Sequence, residues 1–455
     1  MKRAFPGSIC WIDRRESPEE CDPSLILKDL PFHTAMCILS TAVEFCVRNQ
    51  SPVVYVDACS CGKAGKLIVA IFTDMGHHIQ PIGCYFVNEE TDTNYSLFFS
   101  ELLTAGLNRK ERIAVMSDGA LGIKTAFDIT FADLVSAGRA IHIHCSEHEK
   151  RSITDYMHRV LKYNPKNCED SANICRIQQL FYCVRNASND TNRMKYMTQI
   201  SEIDGRVGDY IVSLGDSNYV SRLPFPVFSQ HSNNPCASVM GQLKLKENER
   251  RCSNVFDVLQ RFVLVAVRIM DSRYNSLDLH PVAEGEVEYP DPVYCSFVVS
   301  SIIRLGCIYE VFKDEFVVRD NTVLDYGWNE LFTVDLERRE CTCLSFQQNK
   351  YPCIHAIAIL HERKQFSSVF SYVDDCYKRQ SISQTCIKVP METWRLLKFD
   401  HDRDVPVDID GCEEDVVWSP WGQANPVRRV QSEEDNGQQF NMKSSNDQSC
   451  QNAHQ

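Results

Sequence analysis

The sequence predicts an α/β protein built on one mixed sheet with helices on its faces. Three observations lead there. Three β-type segments stand in series over residues 52–90, and a strand–helix–strand–helix run follows over 112–153. A cluster of soft metal ligands near residue 350 then predicts a separate small module.

The elements are taken in chain order. Residues 1–50 read as an N-terminal helical segment, because PFHTAMCILSTAVEFCVRNQ carries helical spacing. SPVVYVDACSCG reads as a buried strand ending in an acid, and LIVAIFTD and IQPIGCYFVNEE as two more strands. YSLFFSELLTAGL is an amphipathic helix. RIAVMSDGALGIKTAFDI reads strand, acid, helix, and RAIHIHCSEHEKRSI reads strand and then a helix start. Residues 150–230 read as a polar, mostly helical insertion with a loop-like NASNDTN. The helical pattern returns over 236–272 around RFVLVAVRIM, so the sheet domain spans 51–275. Short strands from VYCSFVVSSIIRLGCIYEVF through ELFTVDLE lead to the ligand cluster. Residues 400–455 read as a disordered acidic tail, with eleven acids against four bases in 401–455, a net of -7. No internal repeat stands out.

Composition narrows the function classes. Apolar content is 44% and charged content 24% over 455 residues, as in an ordinary globular protein of two to three domains. No apolar run approaches the ~20 residues of a membrane span. The start MKRAFPGSICWIDRRESPEE turns acidic before an apolar core builds up, unlike a signal peptide. The 22 cysteines are scattered through a long chain and read mostly as reduced, buried, small apolar residues. The net charge of -13 argues against strong non-specific DNA binding, which needs a basic surface, without excluding a local basic groove.

CTCLSFQQNKYPCIHAIAIL places Cys341, Cys343, Cys353 and His355 within fifteen residues. Residues i and i+2 of a strand share a face. A nine-residue loop then returns PCIH, with Pro352 at the start of a helix, Cys353 at its head and His355 in its first turn. Four thiolate or imidazole ligands make a closed tetrahedral Zn²⁺ site, which is structural because no position is left for water or substrate. Two unrelated cysteine pairs in a core are the plain alternative. Cys59 and Cys61 form another C-x-C, but no second pair follows at finger spacing.

Asp57 ends VVYVD and Asp118 ends RIAVMSD. Two acids at the ends of neighbouring strands can share a metal-binding edge. Mg²⁺ favours carboxylate oxygens, and paired ions cleave phosphodiesters when a third carboxylate completes the site. Alternatively such acids only cap loops or helices, as Asp118 before Gly-Ala can.

The segment 320–362, with its C-x-C and C-x-H pairs and the context of Phe346 and Pro352, resembles the SWIM zinc finger. The run from 52 to about 153 resembles the transposase domain of Mutator-like elements. The shared features, in order, are VVYVDA, then HIQPIGCYFVNEETDTNYSLFFSEL, then MSDGALGIKTAF, then the C-x-x-H of Cys145 and His148 in HIHCSEHEKR. A helical insertion and a SWIM finger follow. The resemblance implies an RNase H-like α/β fold and an Asp-Asp-Glu metal site including Asp57 and Asp118. It also implies nuclear localisation and DNA or nuclear protein partners. Family members often carry an N-terminal zinc-dependent DNA-binding module, and residues 1–50 hold no ligand cluster for one. Aligning SNNPCASVMGQLK on Asn234 and Lys244 places Ala237 where the family has its Glu, and Met240 where it has Asn. Glu247 and Glu249 lie ten and twelve residues on, ~15–18 Å along a helix. The expectation is therefore a transposase-derived, catalytically impaired, zinc-binding protein. The alternatives are an active transposase using two Mg²⁺ ions and a protein-interaction adaptor that does not bind DNA. Metal binding at Cys145 and His148 is one reading of that pair, and packing is the other.

Overall fold

The computed structural model describes residues 8–14, 32–61, 65–187, 189–215, parts of 219–243, 255–278, 308–312, 315–320 and 330–385. Seven strands form one mixed sheet. They are β1 (Ile9–Arg14), β2 (Phe32–Ile38), β3 (Val53–Ser60), β4 (Lys66–Thr73), β5 (Ile79–Val87), β6 (Ile113–Ser117) and β7 (Ala140–His144). Their order in space is β1-β2-β5-β4-β3-β6-β7. β3, β4 and β5 pair antiparallel, while β3–β6 and β6–β7 pair parallel. The change of direction follows the connections. β3 to β5 are joined by short turns, whereas helix α2 (Asp92–Thr104) precedes β6, and α3 (Leu121–Thr130) and α4 (Ala132–Ser136) precede β7.

The sheet is covered on both faces. Phe45 of α1 (Ser40–Arg48), Phe98 and Phe99 of α2 and Phe127 of α3 bury one face. The other face lies under α9 (Asn234–Leu243) and α10 (Val255–Asp278), through Val239, Leu259, Phe262, Val263, Ala266, Val267 and Met270. Burial on both sides explains why LIVAIF in β4 is a continuous apolar run rather than an alternation.

Residues 1–50 depart from the expected helical segment. β1 and β2 are strands, and among the described residues of this stretch Ser40–Arg48 is the helical part. FHTAMCI has too few residues to separate the two periods, and the sheet edge at β5 supplies the backbone partners that settle it. Residues 146–213 carry four helices. α5 (Ser146–Arg159), α6 (Cys168–Asn186), α7 (Asp190–Ile203) and α8 (Gly205–Ser213) surround a core of their own, including Ile153, Ile177, Leu180 and Ile200. The loop-like NASNDTN contains the start of α7, where the Asn189 side chain accepts the Asn192 N–H at 2.8 Å.

A second, antiparallel sheet joins β8 (Ile308–Phe312), β9 (Glu315–Asp320), β10 (Glu330–Asp335) and β11 (Glu340–Cys341). It shares an apolar core with the helix Ile354–Glu362, and two residues from well before β8 enter that core, Met75 and Phe228. Phe228 meets Tyr377 edge-on at 6.1 Å, and the Val227 N–H donates to Gln348 Oε1 at 3.3 Å. The β4–β5 turn that carries Met75 is pinned from within. Buried Asp74 accepts the Gly76 and His78 N–H groups and pairs with Arg273 of α10 at 2.7 Å. The expected tail, 400–455, lies outside the described residues.

Candidate zinc centre and acidic strand pair

The four predicted ligands converge. Cys341 ends β11, Cys343 lies in the following turn, Cys353 is the N-cap of the helix Ile354–Glu362, and His355 is in that helix's first turn. Their ligand atoms all lie within 4.8 Å of one another. Cys341 Sγ is 3.6 Å and Cys353 Sγ 4.0 Å from His355 Nδ1. Around tetrahedral zinc with Zn–S ~2.3 Å and Zn–N ~2.0 Å, ligand atoms stand roughly 3.5–3.8 Å apart, so the set fits the ion.

Local backbone chemistry builds this geometry. Leu344 takes a left-handed φ of 64°, which turns the chain between the two cysteine arms. Its N–H donates to the Cys341 carbonyl at 2.8 Å. The Gln347 amide grips Cys341 twice, accepting its N–H at 3.1 Å and donating to its carbonyl at 2.9 Å. The His355 ring stacks on Phe332 at 4.1 Å, which fixes its plane. Cys341, Cys353 and His355 are nearly excluded from solvent. Hydrogen bonds from Cys341, then Cys353, hold the Cys343 thiol well below the ordinary thiol range, while burial pushes Cys353 well above it. Zinc binding would require the thiols to lose their protons.

The acidic pair is brought together on the large sheet. β3 and β6 pair as far as Tyr55 opposite Met116; Asp57 lies two residues further along β3 and Asp118 just past the end of β6, near enough for the charge of one to act on the other. β3 does not stop at the acid, as the sequence suggested, but continues to Ser60 against β4. Asp57 accepts the Ala58 N–H at 2.9 Å, and Asp118 accepts the Ala120 N–H at 3.1 Å just before α3. Burial raises the Asp57 carboxyl to about 6, with the charges of Asp118 and Glu90 adding to the rise and His148 opposing it.

Glu90 is the acid that sequence reading missed. It sits in the loop before α2, accepts a hydrogen bond from the Tyr95 hydroxyl at 3.0 Å and pairs with Lys66 at 3.1 Å. Burial, then Glu90, Asp118 and Asp57, raise the Tyr95 hydroxyl's pKa. The signal was only NEET next to a helix cap. Among the described residues, the zinc cluster is the one set in which three or more ligand groups come within reach of a single ion. Asp57, Asp118 and Glu90 do not make such a set in this arrangement.

Ala237 is exposed on α9, beside buried Cys236, whose Sγ lies 4.0 Å from the Val69 carbonyl of β4. Met240 packs into the core. Glu247 and Glu249 lie outside the described residues. Cys145 is buried, its N–H donating to the Ser117 carbonyl at 2.7 Å, and one turn on His148 faces the field of Asp57. The neighbouring polar groups are tied to structure. His142 meets the Ser117 hydroxyl at 2.9 Å, and buried Arg185 pairs with Glu149 while donating to the His144 carbonyl at 2.5 Å.

No helix among the described residues is long and apolar enough to cross a membrane. No curated protein matches the chain. The SWIM zinc finger family matches residues 332–364, and with Cys341, Cys343, Cys353 and His355 gathered at metal-ligand distances, the chain contains a SWIM zinc finger.

Proposed function

We propose that the chain is a transposase-derived, catalytically impaired nuclear protein that binds nucleic acid or a protein partner, with zinc organising its SWIM module. The carrying observation is the strand order β5-β4-β3-β6-β7, with two antiparallel steps, two parallel steps and helices between the later strands. This order supports reading the sheet as RNase H-like, with Asp57 and Asp118 near the end of the β3–β6 parallel step. The helix in the place of the family's third acid presents Ala237. A methyl group offers no oxygen to a second Mg²⁺, so paired-ion cleavage loses a ligand and a charge.

Residues 332–364 hold five bases (Arg338, Arg339, Lys350, Arg363, Lys364) and four acids (Asp335, Glu337, Glu340, Glu362), and three thiolates on one Zn²⁺ would bring the module near neutral, so it carries none of the chain's -13. The expected result is salt-sensitive binding to DNA, measured by fluorescence anisotropy, with no strand cleavage in Mg²⁺ or Mn²⁺. No binding at low salt would instead support the adaptor reading.

A second reading, an active transposase, draws on Glu90, whose charge reaches Asp57. It requires Mn²⁺-dependent cleavage that both Asp118→Ala and Glu90→Gln abolish. Cleavage by the wild-type chain overturns the impaired reading.

A further inference from the structure

One row of the large sheet runs through Cys10, Cys37, Cys84, Val69 and Asp57, each the register partner of the next. Its outer end is made of thiols. The Cys10 Sγ lies 3.6 Å from the Cys37 Sγ, with β1 at the edge of the sheet. Directly opposed residues of antiparallel strands have Cα atoms ~4.5–5.5 Å apart, within the ~4.4–6.8 Å span of disulfides. The two sulfurs must approach by about 1.5 Å to reach a ~2.05 Å bond.

The two thiols differ in access. Cys37 has no exposed surface, whereas Cys10 is partly exposed. The ends of the pair are held in place by the Ser8 hydroxyl, which accepts the Ser40 N–H at 3.0 Å just beyond β2. Cys84 is fully buried behind Cys37.

We propose that Cys10 and Cys37 are a redox-active pair that a low-molecular-weight disulfide of the glutathione class converts into a cross-strand disulfide. The Cys10 thiolate attacks one sulfur of the small disulfide, forming a mixed disulfide and releasing one small thiol. The Cys37 thiolate then attacks Cys10 Sγ and expels the second small thiol. The two protein thiols lose two protons and two electrons, and the small disulfide takes them up. The bond fastens edge strand β1 to β2 without touching the zinc ligands.

The test treats the full-length, zinc-loaded, reduced chain with oxidised glutathione. Non-reduced peptide mapping by mass spectrometry and zinc content are then read together. The expected product has lost two hydrogens, carries one Cys10–Cys37 linked peptide and keeps its zinc. Cys37→Ser should trap glutathione on Cys10, and Cys84→Ser should leave the linkage unchanged. Where Cys37→Ser fails to fold, Cys10→Ser serves instead, and it should leave Cys37 reduced and free of adduct. Stable glutathione on wild-type Cys10, a Cys37–Cys84 linkage, or oxidation of the zinc ligands before this pair overturns the proposal.

Discussion

Replacing Asp57 with Asn should stabilise the fold in a pH-dependent way. Burial raises the folded-state carboxyl to about 6, against ~4 in an unfolded chain. The folded protein therefore binds this proton more tightly than the unfolded chain does. The site contributes no penalty below pH ~4, where both states are protonated. Its cost grows as the pH rises through 4 to 6 and is complete above 6. Two pK units at ~1.36 kcal/mol each set that cost at roughly 2–3 kcal/mol. Asn keeps an oxygen for the Ala58 N–H and carries no charge, so Asp57→Asn should leave stability near wild type at pH 4 and gain roughly 2 kcal/mol by pH 8. Urea unfolding of both proteins between pH 4 and 8, in metal-free buffer, reads the difference directly. A difference that stays flat with pH, or a variant less stable than wild type at pH 8, would refute the claim that Asp57 is held as a strained carboxylate. Repeating the wild-type series with Mn²⁺ adds a functional reading. An ion bound between Asp57 and Asp118 would offset the penalty at pH 8 and steepen the stability gain with metal.

Cys353→Ser should abolish stoichiometric zinc binding, measured by metal analysis. Structural zinc contributes on the order of 10 kcal/mol to the folding of small fingers, so the module should unfold and protease cleavage within 332–364 should rise. Gln347→Ala removes both amide contacts to the Cys341 backbone and should weaken zinc affinity about 10–100-fold in a chelator competition, without loss of stoichiometry. Arg185→Met strands the buried Glu149 carboxylate and should cost about 3–5 kcal/mol in urea unfolding, while Arg185→Met with Glu149→Leu recovers much of it.

Legibility in the sequence followed the kind of force at work. β3 to β7 could be read because runs such as VVYV and LIVAIF are buried on both faces, and burial writes itself into composition. The zinc ligands could be read because a metal constrains residue type and spacing together. β2 could not, since FHTAMCI becomes a strand only by pairing with β5, a partner more than forty residues away. The early end assigned to β3 has the same origin, because Ala58 to Ser60 are held by cross-strand pairs with β4 rather than by their own propensity. Glu90 and Gln347 act through contacts that folding creates, and no local pattern marks them out.

The placement of Met75 and Phe228 in the zinc module's core has a practical corollary. SWIM fingers invite treatment as detachable cassettes, to be expressed alone or deleted at will. Here a chain ending before β8 would expose Phe228 and Met75 to water, and the isolated finger would lose the apolar surface those side chains cover. Deletion phenotypes of the finger would then report damage to the sheet as well as loss of a binding surface. Point substitutions on the exposed face of the finger are the cleaner way to separate what it holds together from what it touches.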